Sequence, residues 1–193
     1  SDHSKSNLIF DLINKEKYKC MEIKYFKNGE NYGNSSDNTN KAINNCSGDL
    51  IKILFMDDYL HNENSLKVIN DIFSLDINKN KFWLANSYLH TKDYKNFFRR
   101  QVPRLKDHTF IVNKIGCPSG ITIRNEVKER FDTNLKWFMD TEFYHRLLIN
   151  YGKPIFLDEV LVVNFLHGNQ VSNTQINKKL IRFEKEYIEK KYR

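Results

Sequence analysis

One stretch, residues 50–60, constrains the fold of this chain more than any other. Its sequence, LIKILFMDDYL, is an apolar run interrupted only by Lys52 and closed by two adjacent carboxylates, Asp57 and Asp58. A short apolar run with β-branched and aromatic residues is typical of a strand that is covered on most of its surface. The stretch therefore predicts a buried strand over residues 50–55, with the two aspartates at its carboxyl end.

The position of the two aspartates carries a functional expectation. In open α/β sheets, ligands bind in the crevice at the carboxyl ends of strands. A carboxylate pair there is well placed to hold a divalent cation and, through it, a phosphate-bearing ligand. The alternative is a plain acidic turn after a strand, because aspartate is a common turn-forming residue. The residue types alone favour neither alternative.

Helices and strands alternate on both sides of this strand. Such alternation indicates an α/β layered domain. In chain order, apolar spacing predicts a helix over residues 8–13, a strand over residues 21–25, a helix from about Asn38 that ends at Gly48, a helix over residues 66–73, strands over residues 81–89 and 121–124, a helix from Asp140, strands over residues 155–157 and 160–166, and a helix from Ile176.

Length and composition suit one globular domain, taken as residues 1–175, followed by an amphipathic helix over residues 176–193 that packs on the domain or on a partner. The net charge of +7 favours polyanions, nucleotide phosphates or an anionic membrane surface. Three widely spaced cysteines suggest neither a disulfide framework nor a CxxC metal site, which indicates a reducing cytoplasm. No apolar run approaches the roughly 20 residues that span a bilayer, so any membrane contact is expected to be peripheral.

A basic and aromatic stretch, residues 92–107, has the sequence KDYKNFFRRQVPRLKD. It is compatible with a solvated helix or with a lid that covers an anionic ligand. The solvated helix is the preferred interpretation, because runs of charge usually lie on surfaces. The stretch also leaves open a non-catalytic module that binds nucleotide or RNA. No RNP-like aromatic motif and no helix-turn-helix signature supports that alternative, so no nucleic acid partner is expected.

Five short motifs matter as an ordered set. They are SDHSKSN at residues 1–7, NTNKAINNCSGDLIKILFMDD at residues 38–58, GCPSGITIR at residues 116–124, FMDTEFYHRLL at residues 138–148 and HGNQVS at residues 167–172. In this order they resemble the family 2 glycosyltransferases, enzymes of the GT-A fold that transfer sugars from nucleotide diphosphate donors. The resemblance covers most of the chain.

The resemblance implies a GT-A-like fold, with three α/β/α layers and a mostly parallel mixed sheet. In that fold, two further strands lie between the strands predicted at residues 21–25 and 50–55. Both of these strands would come before Ser1. We therefore expect the chain to lack an N-terminal part of the domain that completes the nucleotide pocket.

The resemblance also implies a role for each acidic motif. Asp2 would hold the nucleobase or ribose, and Asp57 and Asp58 would bind the donor diphosphate. A divalent cation, Mn²⁺ or Mg²⁺, would be held by Asp58, with His167 as a further ligand. Asp140 would be the catalytic base that takes a proton from an acceptor hydroxyl, giving inversion in a single displacement. Helix capping alone is the alternative explanation of Asp140.

Four residues are expected on the acceptor side. Ser119 and Gly120 would line the acceptor pocket, where small side chains leave room for a sugar. Glu142 and Arg146, one helical turn apart, would pair and orient the base or contact the acceptor, unless they form a plain surface ion pair. Phe55 departs from the family pattern, which has an acidic residue at this position. The departure leaves open a degenerate enzyme that binds nucleotide without turnover.

These expectations combine into an inverting, metal-dependent hexosyltransferase. Its donor would be a nucleotide-diphosphate sugar and its acceptor a glycan or a lipid-linked sugar, in the synthesis of a surface glycan or polysaccharide. The expected compartment is the cytoplasm, with peripheral contact at the inner face of the membrane. The motifs do not specify the nucleotide base or the sugar.

Overall fold

The computed structural model describes residues 7–15, 22–27 and 33–193. Helices and strands share this part of the chain, and its class is α/β. The helices are α1 (Leu8–Lys15), α2 (Ser35–Asn44), α3 (Ser65–Ser74), α4 (Met139–Tyr151), α5 (Val171–Thr174) and α6 (Lys178–Lys191). The strands are β1 (Leu50–Lys52), β2 (Asp58–Leu60), β3 (Trp83–Thr91), β4 (Phe97–Gln101), β5 (Ile121–Arg124) and β6 (Ile155–Phe165).

The strands form one mixed sheet that curls into a half-barrel. The strand order is β1-β5-β3-β6-β2, and β4 pairs with the second half of β3. In the described residues, β3 and β6 are the one parallel pair, and the other strand pairs are antiparallel. The expected mostly parallel sheet is therefore wrong. One reason is the short connection between β3 and β4, because a tight turn can join only antiparallel strands.

Alternate residues of β3 point into two separate cores. Trp83 and Ala85 belong to the larger cluster, whereas Leu84 between them belongs to the smaller one. Because successive side chains of a strand point to opposite faces, the two clusters lie on opposite faces of the sheet. Helices α2, α4 and α6 contribute to the larger cluster, and α3 contributes to the smaller one. The sheet thus lies between two helical layers.

Strand β1 is shorter than the sequence predicts. It pairs with β5 over Leu50–Lys52, and the Ile53 N–H adds one hydrogen bond to the Ile121 carbonyl at 3.2 Å. Beyond that point the partner chain turns through Pro118–Gly120, so the following residues have no strand to pair with. Leu54 is exposed. Ile51 and Ile53 are buried and Phe55 packs partly buried against the larger core, so the prediction of a strand buried on most of its surface fails at Leu54.

Helix α2 begins and ends earlier than expected. Its N-cap is Asn34, whose side-chain oxygen accepts a hydrogen bond from the Asp37 N–H at 3.0 Å. This cap fixes the start of the helix at Ser35 instead of near Asn38. Gly48 was expected to end the helix in the left-handed conformation, but it lies beyond the helix and does not adopt that conformation.

Two further segments differ from the expectations. Residues 22–26 form no strand, and Met21, the first residue of the expected strand, lies outside the described residues. Within residues 92–107, the solvated helix is wrong, because Phe97–Gln101 forms a strand that pairs antiparallel with β3. Residues 92–101 of the basic and aromatic stretch are therefore part of a β-hairpin.

A glycine ends helix α4, and an asparagine caps the start of helix α6. Helix α4 ends at Gly152, as predicted, with φ at 74° and with the Gly152 N–H donating to the Leu148 carbonyl at 3.2 Å. Helix α6 is capped by Asn177, and its Ile188 side chain is fully buried in the larger core. This burial attaches α6 to the domain.

None of the helices in the described ranges combines the length and apolar character needed to cross a membrane.

Candidate functional site

The turn between β1 and β2 carries the two aspartates. Asp57 lies in this turn, and Asp58 is the first residue of β2. The Asp58 N–H donates to the Phe55 carbonyl at 3.0 Å, and the Phe55 N–H donates to Oγ of Ser119 at 2.9 Å. Ser119 is fully buried in the turn before β5. A residue expected at the acceptor pocket thus anchors the backbone of the aspartate turn.

Asp58 is buried, and its Oδ1 atom is engaged by the chain itself. The Asn164 side-chain amide donates to this oxygen at 2.7 Å, and the Phe165 N–H donates to it at 3.2 Å. Burial raises the pKa of Asp58 above its ordinary value, although hydrogen bonds from Ser119 and Asn164 oppose this rise. Asp58 therefore joins the start of β2 to the end of β6.

Asp57 is partly exposed and meets the segment that follows β6. Its Oδ2 atom accepts a hydrogen bond from Gln170 Nε2 at 3.1 Å and lies 3.4 Å from His167 Nε2. Gln170 also donates to the Phe165 carbonyl at 3.1 Å, which holds this segment in place. The structure thus brings Asp57 and His167 together. Asp2, the expected contact for the nucleobase, lies outside the described residues.

Asp57 and His167 are the side chains that would take part in holding a divalent cation bound together with a phosphate ligand. Within the described residues, no group of three or more His, Cys, Asp or Glu side chains could hold a metal ion by itself. Mg²⁺, however, usually keeps several waters and is bound by one or two carboxylates plus substrate phosphates. Carboxylate and imidazole atoms 3.4 Å apart match such an incomplete protein shell. Asp58 was expected as the direct ligand, but Asp57 is the carboxylate beside His167.

Asp140 lies in the first turn of α4 and faces the segment before β5. Its Oδ2 atom accepts a hydrogen bond from Asn113 Nδ2 at 2.6 Å, and its Oδ1 atom accepts one from the Thr141 N–H at 2.7 Å. Burial raises the pKa of Asp140 to about 6, against the opposing effect of these hydrogen bonds. A carboxylate with this pKa is ionised at neutral pH and has a proton affinity suited to a general base.

A tightly packed segment, residues 113–119, connects the surroundings of Asp140 to the aspartate turn. At one end, Asn113 donates the hydrogen bond to Asp140. At the other end, Ser119 accepts the hydrogen bond from the Phe55 N–H in the aspartate turn. In the middle, the Cys117 N–H donates to the Tyr88 hydroxyl at 3.2 Å. Gly116 has a φ of 126°, and a Cβ atom there would lie 2.6 Å from Tyr88 Cε1. Only glycine fits this position, so the segment has little freedom.

Lys52 is a partly buried lysine whose amine lies against the turn before β5. Its amine donates to the Asn86 side-chain oxygen at 3.2 Å and to the Ile121 carbonyl at 3.4 Å. It also donates to the Ser119 carbonyl. Burial lowers the pKa of Lys52 to about 7. Gly120, expected beside the acceptor, packs in the same region, because a Cβ atom there would lie 3.2 Å from the Asn86 carbonyl oxygen.

Glu142 and Arg146 form the expected pair, but inside the protein. Arg146 donates two hydrogen bonds of 2.8 Å to the carboxylate of Glu142, which is fully buried. Lys191 and Tyr192, at the end of α6, donate to the same carboxylate at 2.9 and 2.7 Å. Burial alone would raise the pKa of Glu142, but these bonds lower it below its ordinary value. The pair thus ties α4 to the end of α6.

Glu184 of α6 caps the backbone that leads into α4. Its fully buried carboxylate accepts hydrogen bonds from the N–H groups of Lys136, Trp137 and Phe138 at 2.8, 2.9 and 3.1 Å. These donors immediately precede the turn that carries Asp140. Sequence reasoning missed Glu184, because a glutamate in an amphipathic helix has the pattern of a solvent-facing residue. Sequence reasoning also missed the hydrogen bonds of Lys52, because a lysine in a strand has the pattern of a solvent-facing residue.

Comparison with known proteins does not assign this chain to a family. No protein-family model matches the chain, and no curated protein matches it significantly. The functional interpretation therefore depends on the order of the sequence motifs and on the geometry described above.

Proposed function

We propose that this chain is an inverting, metal-dependent glycosyltransferase that uses a nucleotide-diphosphate sugar as donor. The observation that carries the proposal is the distance of 3.4 Å between Asp57 and His167, which belong to motifs in opposite halves of the chain. Both motifs are part of the ordered set that resembles the family 2 glycosyltransferases. A second observation supports it, because Asp140 has a pKa of about 6 and lies at the motif position of a catalytic base.

On the donor side, Asp57 and His167 would hold Mn²⁺ or Mg²⁺ together with the diphosphate oxygens. When bound, such a cation would supply positive charge against the negative charge that develops on the departing nucleoside diphosphate. Asp58 would act mainly by fixing the turn, since its Oδ1 atom already accepts two hydrogen bonds from the end of β6. Phe55 is compatible with this arrangement, because its contribution to the turn is made by backbone atoms.

On the acceptor side, Asp140 would remove the proton from the attacking hydroxyl of a glycan or a lipid-linked sugar. The hydroxyl oxygen forms a new bond to the anomeric carbon while the bond from that carbon to the diphosphate breaks. The bonding electron pair leaves with the diphosphate, and the proton passes to the carboxylate. Attack from the face opposite the leaving group inverts the anomeric configuration.

The test is a panel of nucleotide sugars incubated with the protein, with release of nucleoside diphosphate measured in Mn²⁺ and in chelator. We expect one donor of the panel to be hydrolysed slowly in Mn²⁺ and not in chelator. His167→Ala and Asp57→Asn should each lower the rate at least about tenfold, because both remove a metal ligand. Asp76→Asn is the matched control, because the side chain of Asp76 is 93% exposed.

Two outcomes would contradict the proposal. Donor hydrolysis that is equal in Mn²⁺ and in chelator would remove the metal from the reaction. Nucleotide binding by calorimetry without turnover of any donor or acceptor would indicate a non-catalytic nucleotide-binding module instead.

A further inference from the structure

The hairpin of β3 and β4 exposes aromatic side chains at its tip and along β4. Tyr94, in the connecting turn, is 64% exposed, and Phe97 and Phe98 of β4 are 46% and 54% exposed. Four of the five residues of β4 are exposed. An exposed strand with adjacent phenylalanines is unfavourable in water and promotes aggregation unless another surface covers it.

The two phenylalanines lie on opposite faces of the hairpin. Phe97 pairs in register with Thr91, whereas the ring of Phe98 stacks on that of His90 at a centroid distance of 6.1 Å. Thr91 and His90 are consecutive residues of β3, so their side chains point to opposite faces. A partner that covers both rings must therefore surround the tip of the hairpin and not lie against one face.

The hairpin is also strongly basic. The acidic Asp93 is used within the turn, where it accepts hydrogen bonds from the backbone of Lys95 and Asn96 at 3.1 and 2.8 Å. Arg100 is paired with Asp158 of β6 at 2.6 Å. Residues 92–101, which form the turn and β4, contain four basic residues and one acidic residue. The basic residues are Lys92, Lys95, Arg99 and Arg100.

We propose that this hairpin inserts its tip into the headgroup region of an anionic lipid bilayer. Aromatic rings are favoured at the membrane interface, and lysines and arginines are attracted to anionic headgroups. The interface surrounds an inserted tip, so it covers Phe97 and Phe98 together. The excess of basic residues matches the negative charge of the surface.

Other partners match these observations less well. Single-stranded nucleic acid stacks its bases along one face, but Phe97 and Phe98 point to opposite faces. A second copy that paired edge to edge with β4 would bring its own Arg99 and Arg100 against the same residues, and like charges on paired strands repel.

The hairpin adjoins the candidate site. The ring of Tyr94 stacks on that of Phe165 at a centroid distance of 4.3 Å, and Phe165 lies 5.9 Å from the His167 ring. Tyr94 holds this position with a φ of 63°, a conformation that is unfavourable for a bulky residue. A membrane-bound hairpin would therefore bring Asp57 and His167 close to the bilayer surface. Under the proposed function, that position suits a lipid-linked acceptor.

The test is co-sedimentation with vesicles of phosphatidylcholine, either alone or with about a quarter phosphatidylglycerol. We expect binding to the anionic vesicles only. Replacing both Phe97 and Phe98 by serine should weaken binding at least about tenfold, because apolar contact with the interface is lost. Phe183→Ser is the matched control, because Phe183 is 61% exposed on α6, and it should leave binding unchanged.

A second pair of variants tests the charge. Lys95→Gln with Arg99→Gln should weaken binding roughly 30-fold, since each basic residue at an anionic surface contributes about one kcal/mol. Lys178→Gln with Lys179→Gln removes the same charge from α6 and should have little effect. All variants are first compared with the parent by thermal unfolding, which exposed substitutions should leave unchanged.

Three results would overturn the proposal. The first is failure of the parent protein to bind anionic vesicles. The second is an equal loss of vesicle binding in the hairpin variants and the control variants. The third is binding of a single-stranded oligouridine that is tighter than vesicle binding and is abolished in the hairpin variants. The last result would identify a nucleic-acid surface. Vesicle binding requires no sugar transfer, so failure here would leave the proposed enzyme activity standing, and loss of that activity would leave the membrane contact standing.

Discussion

Asp140 and Glu142 lie two residues apart at the start of α4, yet their surroundings are opposite. Asp140 accepts hydrogen bonds from the side-chain amide of Asn113 and the backbone N–H of Thr141, and burial raises its pKa to about 6. Glu142 accepts hydrogen bonds from Arg146, Lys191 and Tyr192, and these bonds lower its pKa despite its burial. Residues two apart point about 200° from each other around a helix. The two side chains therefore lie on different sides of the same helical turn.

The two carboxylates also make opposite contributions to stability. The folded-state pKa of Asp140 is above its unfolded value, so its ionisation costs stability as the pH rises toward about 6. The folded-state pKa of Glu142 is depressed, so its contribution is present above its ordinary pKa and is lost as the pH falls through its folded value. The comparison indicates that Glu142 maintains the structure around Asp140, whereas Asp140 remains available for proton transfer.

The substitution that separates the two roles most strongly is Asp140→Asn. Asparagine keeps the size of the side chain and can still accept the hydrogen bond from Thr141, but it cannot act as a base. We expect sugar transfer to fall about 100- to 10,000-fold, while donor binding stays near that of the parent. Turnover is measured as release of nucleoside diphosphate, and donor binding is measured by calorimetry.

The pH dependence of the parent provides a second readout of the same prediction. Under the proposed function the carboxylate form of Asp140 is the base. Because burial raises the pKa of Asp140 to about 6, the rate should decline below that pH. The decline should approach about tenfold per pH unit. A parent profile that is flat between pH 5 and 7 would assign the base to another residue, as would normal turnover by Asp140→Asn.

The next largest effect is expected from Glu142→Gln, which tests the structural side of the comparison. Removal of this charge takes the shared partner from Arg146 and Lys191, although Arg146 keeps Glu129 and Lys191 keeps Asp132. Breaking a buried pair costs about 3 to 5 kcal/mol where the charge is left uncompensated, so we expect the free energy of unfolding to fall by about 3 kcal/mol. Urea denaturation at neutral pH measures the loss, with Glu126→Gln as the exposed control. An unfolding free energy equal to that of the parent would mean that the network contributes little.

A smaller effect is expected from Glu184→Gln, which weakens the cap on residues 136–138. The amide can still accept with one oxygen, but the charge-assisted bonds to the backbone are lost. We expect the unfolding free energy to fall by about 2 kcal/mol. Glu186→Gln, at an exposed position of the same helix, should change it by less than about 0.5 kcal/mol. Equal values for the two variants would show that the cap is not needed.

Local sequence patterns predicted the positions of helices better than the partners of strands. The apolar spacing and Gly152 located α4, because helix periodicity and a left-handed end are properties of a short segment. Strand direction depends on which distant segment pairs with which, and the alternation of residues does not encode it. The mostly parallel mixed sheet was an implication of the family resemblance, whereas the mixed sheet of the structure has one parallel pair, β3 and β6, and is otherwise antiparallel. In residues 97–101, both faces are exposed, so no alternation marked β4.

The candidate site was predictable only in part. Asp57, His167 and Asp140 belong to motifs that are recognisable in the sequence, and the structure brings the first two within 3.4 Å. The supporting charges were not predictable, because the sequence does not distinguish a partly buried Lys52 or a buried Glu184 from the same residue in solvent. Burial of a charged group depends on partners that are distant in the chain.

The cap provided by Glu184 has a consequence for synthesis on the ribosome. Chains begin to fold while they are made, at roughly 5–20 residues per second, so Glu184 emerges a few seconds after Phe138. Until then, the N–H groups of residues 136–138 bond to water and the turn that bears Asp140 is not fixed. In the nascent chain the backbone before Asp140 therefore lacks its cap until α6 has been synthesised and can pack against it.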